Sequence, residues 1–214
     1  MKKNFLIILI LVFTNIAPAF ASTKTIMVFG DSLSASYGMS TEAGWVTLLE
    51  QRLQSKYADY HIINASISGE TALGGRNRIR QALETHRPQI VILELGANDG
   101  LRGASIKSIY ENLAAIIERC QQNNALVLLA GMRLPPNYGM TYTQKFQAIF
   151  TQLAENYQVK LIPFLLDGFG DKHEFFQADG IHPTEVAQKK IVENVWEVLQ
   201  TMFKTEQVAT NPDI

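Results

Sequence analysis

The chain has 214 residues, 47% of them hydrophobic and 18% charged, with a formal net charge of −1. That is enough for one globular domain with a sizeable core, and the absence of a basic excess excludes the charge pattern of a nucleic-acid binder. Cys120 is the only cysteine, which excludes an internal disulfide.

Residues 1–21 stand apart. Lys2 and Lys3 precede the apolar run FLIILILVF, and small residues follow at Ala19 and Ala21. This is the layout of a secretory signal peptide cleaved after Ala21. A membrane-spanning helix needs roughly 20 apolar residues, whereas this run breaks at Thr14, Asn15 and Pro18. Cleavage removes both lysines, takes the formal charge from −1 to −3 and leaves no stable membrane anchor. The expected division is 1–21 signal peptide, 22–204 folded domain and 205–214 flexible polar tail. The expected location is the periplasm or the exterior, an oxidising compartment.

After that segment, strand-like and helix-like stretches alternate. KTIMVFG reads as a first strand that runs straight into Asp31, Ser32, Ser34 and Ser36. AGWVTLLEQRLQSKY puts Trp45, Leu48, Leu49 and Leu53 on one helical face. YHIINAS is a second strand. LGGRNRIRQALETHR is a helix whose start is weakened by Gly74 and Gly75. PQIVILELG is apolar almost throughout, as a strand buried on both faces should be. The helix expected over 105–123 turns Ile106, Ile109, Leu113, Ile116, Ile117 and Cys120 inward, so Cys120 reads as a core residue rather than a reactive thiol. ALVLLAGM is a fourth strand, 141–157 a helix and VKLIPF a fifth strand. A last helix over 184–202 faces Ala187, Ile191, Val195, Leu199 and Met202 inward. This order predicts an α/β fold, a three-layer α/β/α sandwich around a five-stranded parallel sheet with right-handed crossovers.

In such sheets ligands bind beyond the carboxyl ends of the strands. GDSLS, SISGET and GANDG each follow a predicted strand, so three polar, glycine-bearing turns share one rim. The late segment DGIHP adds Asp179 and His182, three residues apart. In a tight turn that spacing lets the carboxylate reach one imidazole nitrogen while the other points outward. Pro183 suits the first position of the next helix, which would hold His182 beside a positive helix end that favours neutral imidazole. Together these segments offer the nucleophile, base, orienting acid and oxyanion donors of acyl-bond hydrolysis. The elbow G-x-S-x-G is missing, because GDSLS ends in serine, and that argues against an ordinary α/β-hydrolase.

The stretches GDSLS, NASISGET, GANDGLRG and DGIHP, in this order, resemble the SGNH, or GDSL-type, hydrolases with their flavodoxin-like fold. MRLPPNYG at 132–139 is similar to a subgroup of multifunctional periplasmic thioesterases. The resemblance implies hydrolysis of acyl esters, acyl thioesters and lysophospholipids. It selects Ser32 over Ser34 and Ser36 as nucleophile, with His182 as general base and Asp179 as its orienting partner. It also implies an oxyanion hole made by the N–H groups of Ser32 and Gly69 and the side-chain amide of Asn98. Glycine permits close backbone approach at 69, and the Asn98 amide donates without carrying charge. Glu70 and Ala97 depart from the aspartate and glycine common in the subgroup, and neither position supplies a catalytic group. The loop carrying Leu101 and Arg102 is expected to line the substrate site, with Leu134, Pro135, Tyr138 and Ile181 offering apolar surface for an acyl chain. Phe164 falls near the same strand ends.

Each residue also has a plainer reading. Ser32 or Asp31 could cap a helix, Gly69, Asn98 and Asp99 could close turns, and His182 could be a polar residue at a helix start. His61, His86 and His173 lack a partnered carboxylate and read as surface or packing residues. No H-E-x-x-H or paired-cysteine pattern calls for a metal, no cofactor is implied, and nothing demands a partner, so a monomer is expected. Two rival functions use the same chain differently. A carbohydrate O-acetyl esterase would need a small acyl site, and a non-catalytic lipid binder would leave the catalytic set idle.

Overall fold

The run KTIMVFG forms β1 (Lys24–Gly30), in which Ile26 through Phe29 are fully buried. Burial on both faces is what a parallel sheet covered by helices requires. This computed structural model describes residues 23–210. The expected signal peptide, 1–21, and the end of the expected tail, 211–214, lie outside the described residues.

The other strands are β2 (Tyr60–Asn64), β3 (Ile90–Glu94), β4 (Leu126–Ala130) and β5 (Lys160–Ile162). All neighbours pair in parallel, in the order β2-β1-β3-β4-β5. The helices are α1 (Trp45–Lys56), α2 (Ala72–His86), α3 (Ala97–Leu101), α4 (Ile106–Gln122), α5 (Met140–Tyr157) and α6 (Glu185–Thr210). α1 and α6 pack together on one face of the sheet, and α2, α4 and α5 on the other. The expected five-stranded α/β/α sandwich is what forms, and Cys120 is buried in its core.

Local chemistry sets the helix starts. Thr71 accepts the Gly74 N–H at 3.1 Å at the head of α2, and Ser105 accepts the Ser108 N–H at 3.1 Å at the head of α4. The glycines that weaken α2 on propensity have a packing reason. A Cβ at Gly75 would stand 2.5 Å from Leu95 Cδ1 and 3.2 Å from Phe29 Cε1, so only glycine lets α2 lie this close to the sheet.

Two elements differ from expectation. α3 occupies a segment read as a turn, because five residues are too few to show a helical period. The last helix starts at Glu185, next to the expected 184, and Pro183 does not take its first position but is buried and pairs with Phe176 in an isolated antiparallel bridge. His182 therefore sits ahead of that bridge, which stands between it and the helix. α6 also continues to Thr210, so the boundary placed at 205 falls within a helix.

The strand order decides where a site can form. From β1 the chain crosses to β2 on one side, and from β3 it crosses to β4 on the other. The carboxyl ends of β1 and β3 therefore diverge into a crevice. Asp31 and Ser32 follow β1 at that point, and α3 with Asn98 follows β3.

Candidate active site

DGIHP forms a short arm closed by its own aspartate. Asp179 Oδ1 accepts the N–H groups of Ile181 at 2.9 Å and His182 at 3.0 Å, an aspartate-closed turn. Its other oxygen, Oδ2, lies 2.7 Å from His182 Nδ1. The free ring nitrogen, Nε2, lies 2.9 Å from Ser32 Oγ. Burial alone would raise the Asp179 carboxyl, but hydrogen bonds from the His182 ring and the two N–H groups outweigh it and bring it down to about 2. It is ionised at any physiological pH. A hydroxyl bound to one imidazole nitrogen, with a carboxylate on the other, is the arrangement that activates serine for attack on a carbonyl.

The neighbouring serines are placed for other work. Ser34 is fully buried and donates to Glu94 Oε2 at 2.7 Å. Ser36 sits in a left-handed backbone conformation with φ +58°. Only Ser32 of the three meets His182.

Three rim turns are tied to one another around Ser32. Asn98 Nδ2 donates to Asp31 Oδ2 at 2.9 Å and to the Glu70 carbonyl at 3.1 Å. Asn98 thus stands between the neighbour of Ser32 and the neighbour of Gly69. Asp99 Oδ2 accepts the Ala72 N–H at 2.8 Å, and Arg102 reaches the Gly69 carbonyl at 3.3 Å. Gly69 has φ +78°, which only glycine adopts without strain. Among the described residues neither the Ser32 N–H nor the Gly69 N–H has an acceptor.

The expected substrate residues fall into two groups. Leu101, Arg102, Leu134 and Tyr138 are joined: the Tyr138 hydroxyl donates to the Leu101 carbonyl at 3.0 Å, and Leu134 is buried under Gly100. Leu134 therefore supports α3 from below, while Pro135 and Arg102 are exposed. Ile181 stands beside His182 with 44% of its surface exposed. Phe164 lies elsewhere, under the Arg133 guanidinium and against Gly170.

Several contributors carried no sequence signal. The Tyr37 ring lies 4.3 Å from the His182 ring, tilted by 34°. The Gln177 side chain donates to the carbonyls of Tyr37 at 2.8 Å and Pro183 at 3.3 Å, clamping the two arms together. Glu94 ends an apolar strand and is fully buried. It accepts the Asp31 N–H at 3.2 Å as well as the Ser34 hydroxyl. Burial, reinforced by the charge of Asp31, pushes the Glu94 carboxyl well above its ordinary value, and burial pushes Asp31 up as well.

Comparison with known proteins shows the family. Residues 28–190 match the GDSL-like lipase/acylhydrolase family. The chain belongs to that family. Esterase TesA of Pseudomonas aeruginosa is 43% identical over 183 residues, covering 86% of this chain and 91% of that one. An arylesterase of Vibrio mimicus is 44% identical over 190 residues, covering 89% and 94%. Thioesterase 1/protease 1/lysophospholipase L1 of Escherichia coli K12 is 41% identical over 182 residues, covering 85% and 86%. A crystal structure of TesA superposes with a TM-score of 0.81 at 43% identity, over 83% of this chain and 99% of that one. As a member of the GDSL-like family, the chain is an SGNH-type esterase, with the fold of that group.

Proposed function

We propose that this enzyme hydrolyses acyl esters, acyl thioesters and lysophospholipids through an acyl-enzyme on Ser32. The observation that carries the reading is the unbroken line from Ser32 Oγ through the His182 ring to Asp179, with contacts of 2.9 Å and 2.7 Å. The names of the esterase, arylesterase and thioesterase relatives support the substrate range.

In this mechanism His182 Nε2 takes the Ser32 proton as Oγ attacks the carbonyl carbon. Asp179 holds the ring in the tautomer that presents a bare Nε2 and stabilises the imidazolium that forms. The oxyanion is met by the N–H groups of Ser32 and Gly69 and by the Asn98 amide. His182 returns the proton to the leaving alcohol or thiol, and water then repeats the cycle on the acyl-enzyme. Positioned proton transfer contributes ~10²–10⁴-fold, and one oxyanion donor ~10²–10³-fold in turnover.

Leu101, Arg102, Pro135, Tyr138 and Ile181 would border the acyl chain, with Leu134 beneath them. The proposal includes export by the segment ending at Ala21, cleavage there, and action as a monomer in the periplasm or outside. N-terminal sequencing of the exported protein should read from Ser22.

The experiment is a hydrolysis panel on mature protein, varying acyl length and leaving group, run beside Ser32→Ala and Asn98→Ala. Efficiency should rise from acetyl to medium-chain p-nitrophenyl esters. A steep preference for acetyl would favour the O-acetyl esterase instead. Ser32→Ala should take no fluorophosphonate label, and persistent labelling would move the nucleophile elsewhere. Asn98→Ala should fold and lose ~10²–10³-fold in kcat.

A further inference from the structure

The Asn98 amide has two hydrogens, and both are engaged. Nδ2 lies 2.9 Å from Asp31 Oδ2 and 3.1 Å from the Glu70 carbonyl oxygen. An oxyanion that uses this amide must take one hydrogen from its present acceptor.

The two acceptors are not equivalent. Asp31 is 1% exposed and fixed on every side. Its Oδ1 accepts the Leu33 N–H at 3.0 Å, and its own N–H donates to Glu94 Oε2 at 3.2 Å. Its carbonyl accepts from Ser34 N–H at 3.2 Å and Ala35 N–H at 3.0 Å. Asp31 Oδ2 cannot leave Asn98 without dismantling the turn that carries Ser32. The Glu70 carbonyl is a neutral acceptor beside exposed Gly69, and a neutral acceptor holds a hydrogen bond less strongly than a carboxylate.

We propose that Asp31 is a positioning residue for the oxyanion donor: it keeps one N–H of Asn98 throughout the reaction and thereby makes the N–H resting on Glu70 the one handed to the substrate. The inference rests on the reading of Asn98 as an oxyanion donor. An amide group is planar, so pinning one hydrogen fixes the direction of the other. Asp31 and Ser32 are consecutive, so this one bond also sets the separation between the Asn98 donor and the Ser32 N–H. Such preorganisation is what makes donors effective against charge that develops only in the transition state.

The chemistry of Asp31 makes the proposal testable by a near-isosteric change. Both carboxylate oxygens accept hydrogen bonds, one from Leu33 and one from Asn98. In Asp31→Asn the new NH₂ must face one of those N–H donors, donor against donor. With its carbonyl toward Leu33, the variant loses its hold on Asn98. With the reverse orientation it loses the turn that positions it.

The experiment measures kcat and KM for Asp31→Asn, Asn98→Ala and the double variant. Asp31→Asn should lose on the order of 10²-fold in kcat with KM within about 2-fold, because substrate binding precedes the handover. The double variant should be no slower than Asn98→Ala within about 2-fold, because the two residues act as one unit. Near-normal kcat in Asp31→Asn, or losses that multiply in the double variant, would overturn the proposal. If Asn98→Ala itself keeps its turnover, the oxyanion reading fails first, and the two failures are told apart.

A second measurement follows the unaltered chain and does not depend on Asp31→Asn folding. The side-chain amide resonances of Asn98, identified by their loss in Asn98→Ala, are followed as Ser32 is phosphonylated. One amide proton should shift, and the one held by Asp31 should stay. Movement of both, or of neither, would sink the handover.

Discussion

At the scale of single residues, the site was legible where a turn is closed by its own side chains. Asp179 and His182 could be paired from DGIHP because an aspartate that accepts N–H groups two and three residues on folds such a turn locally. Asp31 could be read as structural, but its grip on Asn98 could not, since the two are 67 residues apart. Glu94 was hidden by its company: an acid at the end of IVILE looks like a residue reaching for water, and it is instead sealed in. That seal has a measurable sign. The fold favours the protonated form of Glu94 more than the unfolded chain does, so its contribution is complete below the ordinary glutamate value of 4.5 and is lost as pH climbs toward the raised one. Asp31 adds the same sign between 3.8 and about 6. Glu94→Gln, a neutral isostere, should therefore flatten the fall of melting temperature above about pH 6. Parallel pH curves for the two proteins would mean that Glu94 is ionised in the fold.

At the scale of elements, the helices and strands were placed by periodicity, and α3 escaped because a five-residue helix containing Gly100 shows none. α3 matters because it carries Asn98. It and the turn after it are held from outside by two tyrosines: Tyr138 donates to the Leu101 carbonyl at the end of α3, and Tyr142 to the Ala104 carbonyl just past it at 2.6 Å. Tyr142→Phe removes one part-buried hydrogen bond and should lower stability by roughly 0.5–1.5 kcal/mol. It should raise KM more than it lowers kcat, because the loop proposed to border the substrate is loosened while the Asn98 contacts stay. A purely kcat effect would place the role of Tyr142 in the chemistry instead. Gly30 marks another joint. A Cβ there would stand 2.5 Å from Glu94 Oε2, 2.8 Å from Ser34 Oγ and 3.0 Å from the Glu94 carbonyl. Gly30→Ala should cost on the order of 1–3 kcal/mol in a denaturant titration, as overpacking of a tight interior does.

At the scale of the molecule, fold class and strand number could be read from the alternation, but the order of the strands could not. Hydrophobic period says what a segment is, not which segment lies beside it. The order is what opens a crevice between β1 and β3 and so turns three separate turns into one site. The interior behind it is tight enough to silence Cys120, which is fully buried with its thiol pushed up to about 12. Modification by a thiol reagent should proceed only through global opening, at a rate that follows denaturant as unfolding does. Fast labelling in buffer would reveal local opening of α4.

Ser32 follows the first strand and His182 precedes the last helix, 150 positions later. On the proposed mechanism, both segments must be made and the chain must wrap back from the second to the first before an ester bond can be cut. A copy that stops between them would hold a hydroxyl with no imidazole beside it, so on that mechanism hydrolytic power reports that the two segments have met.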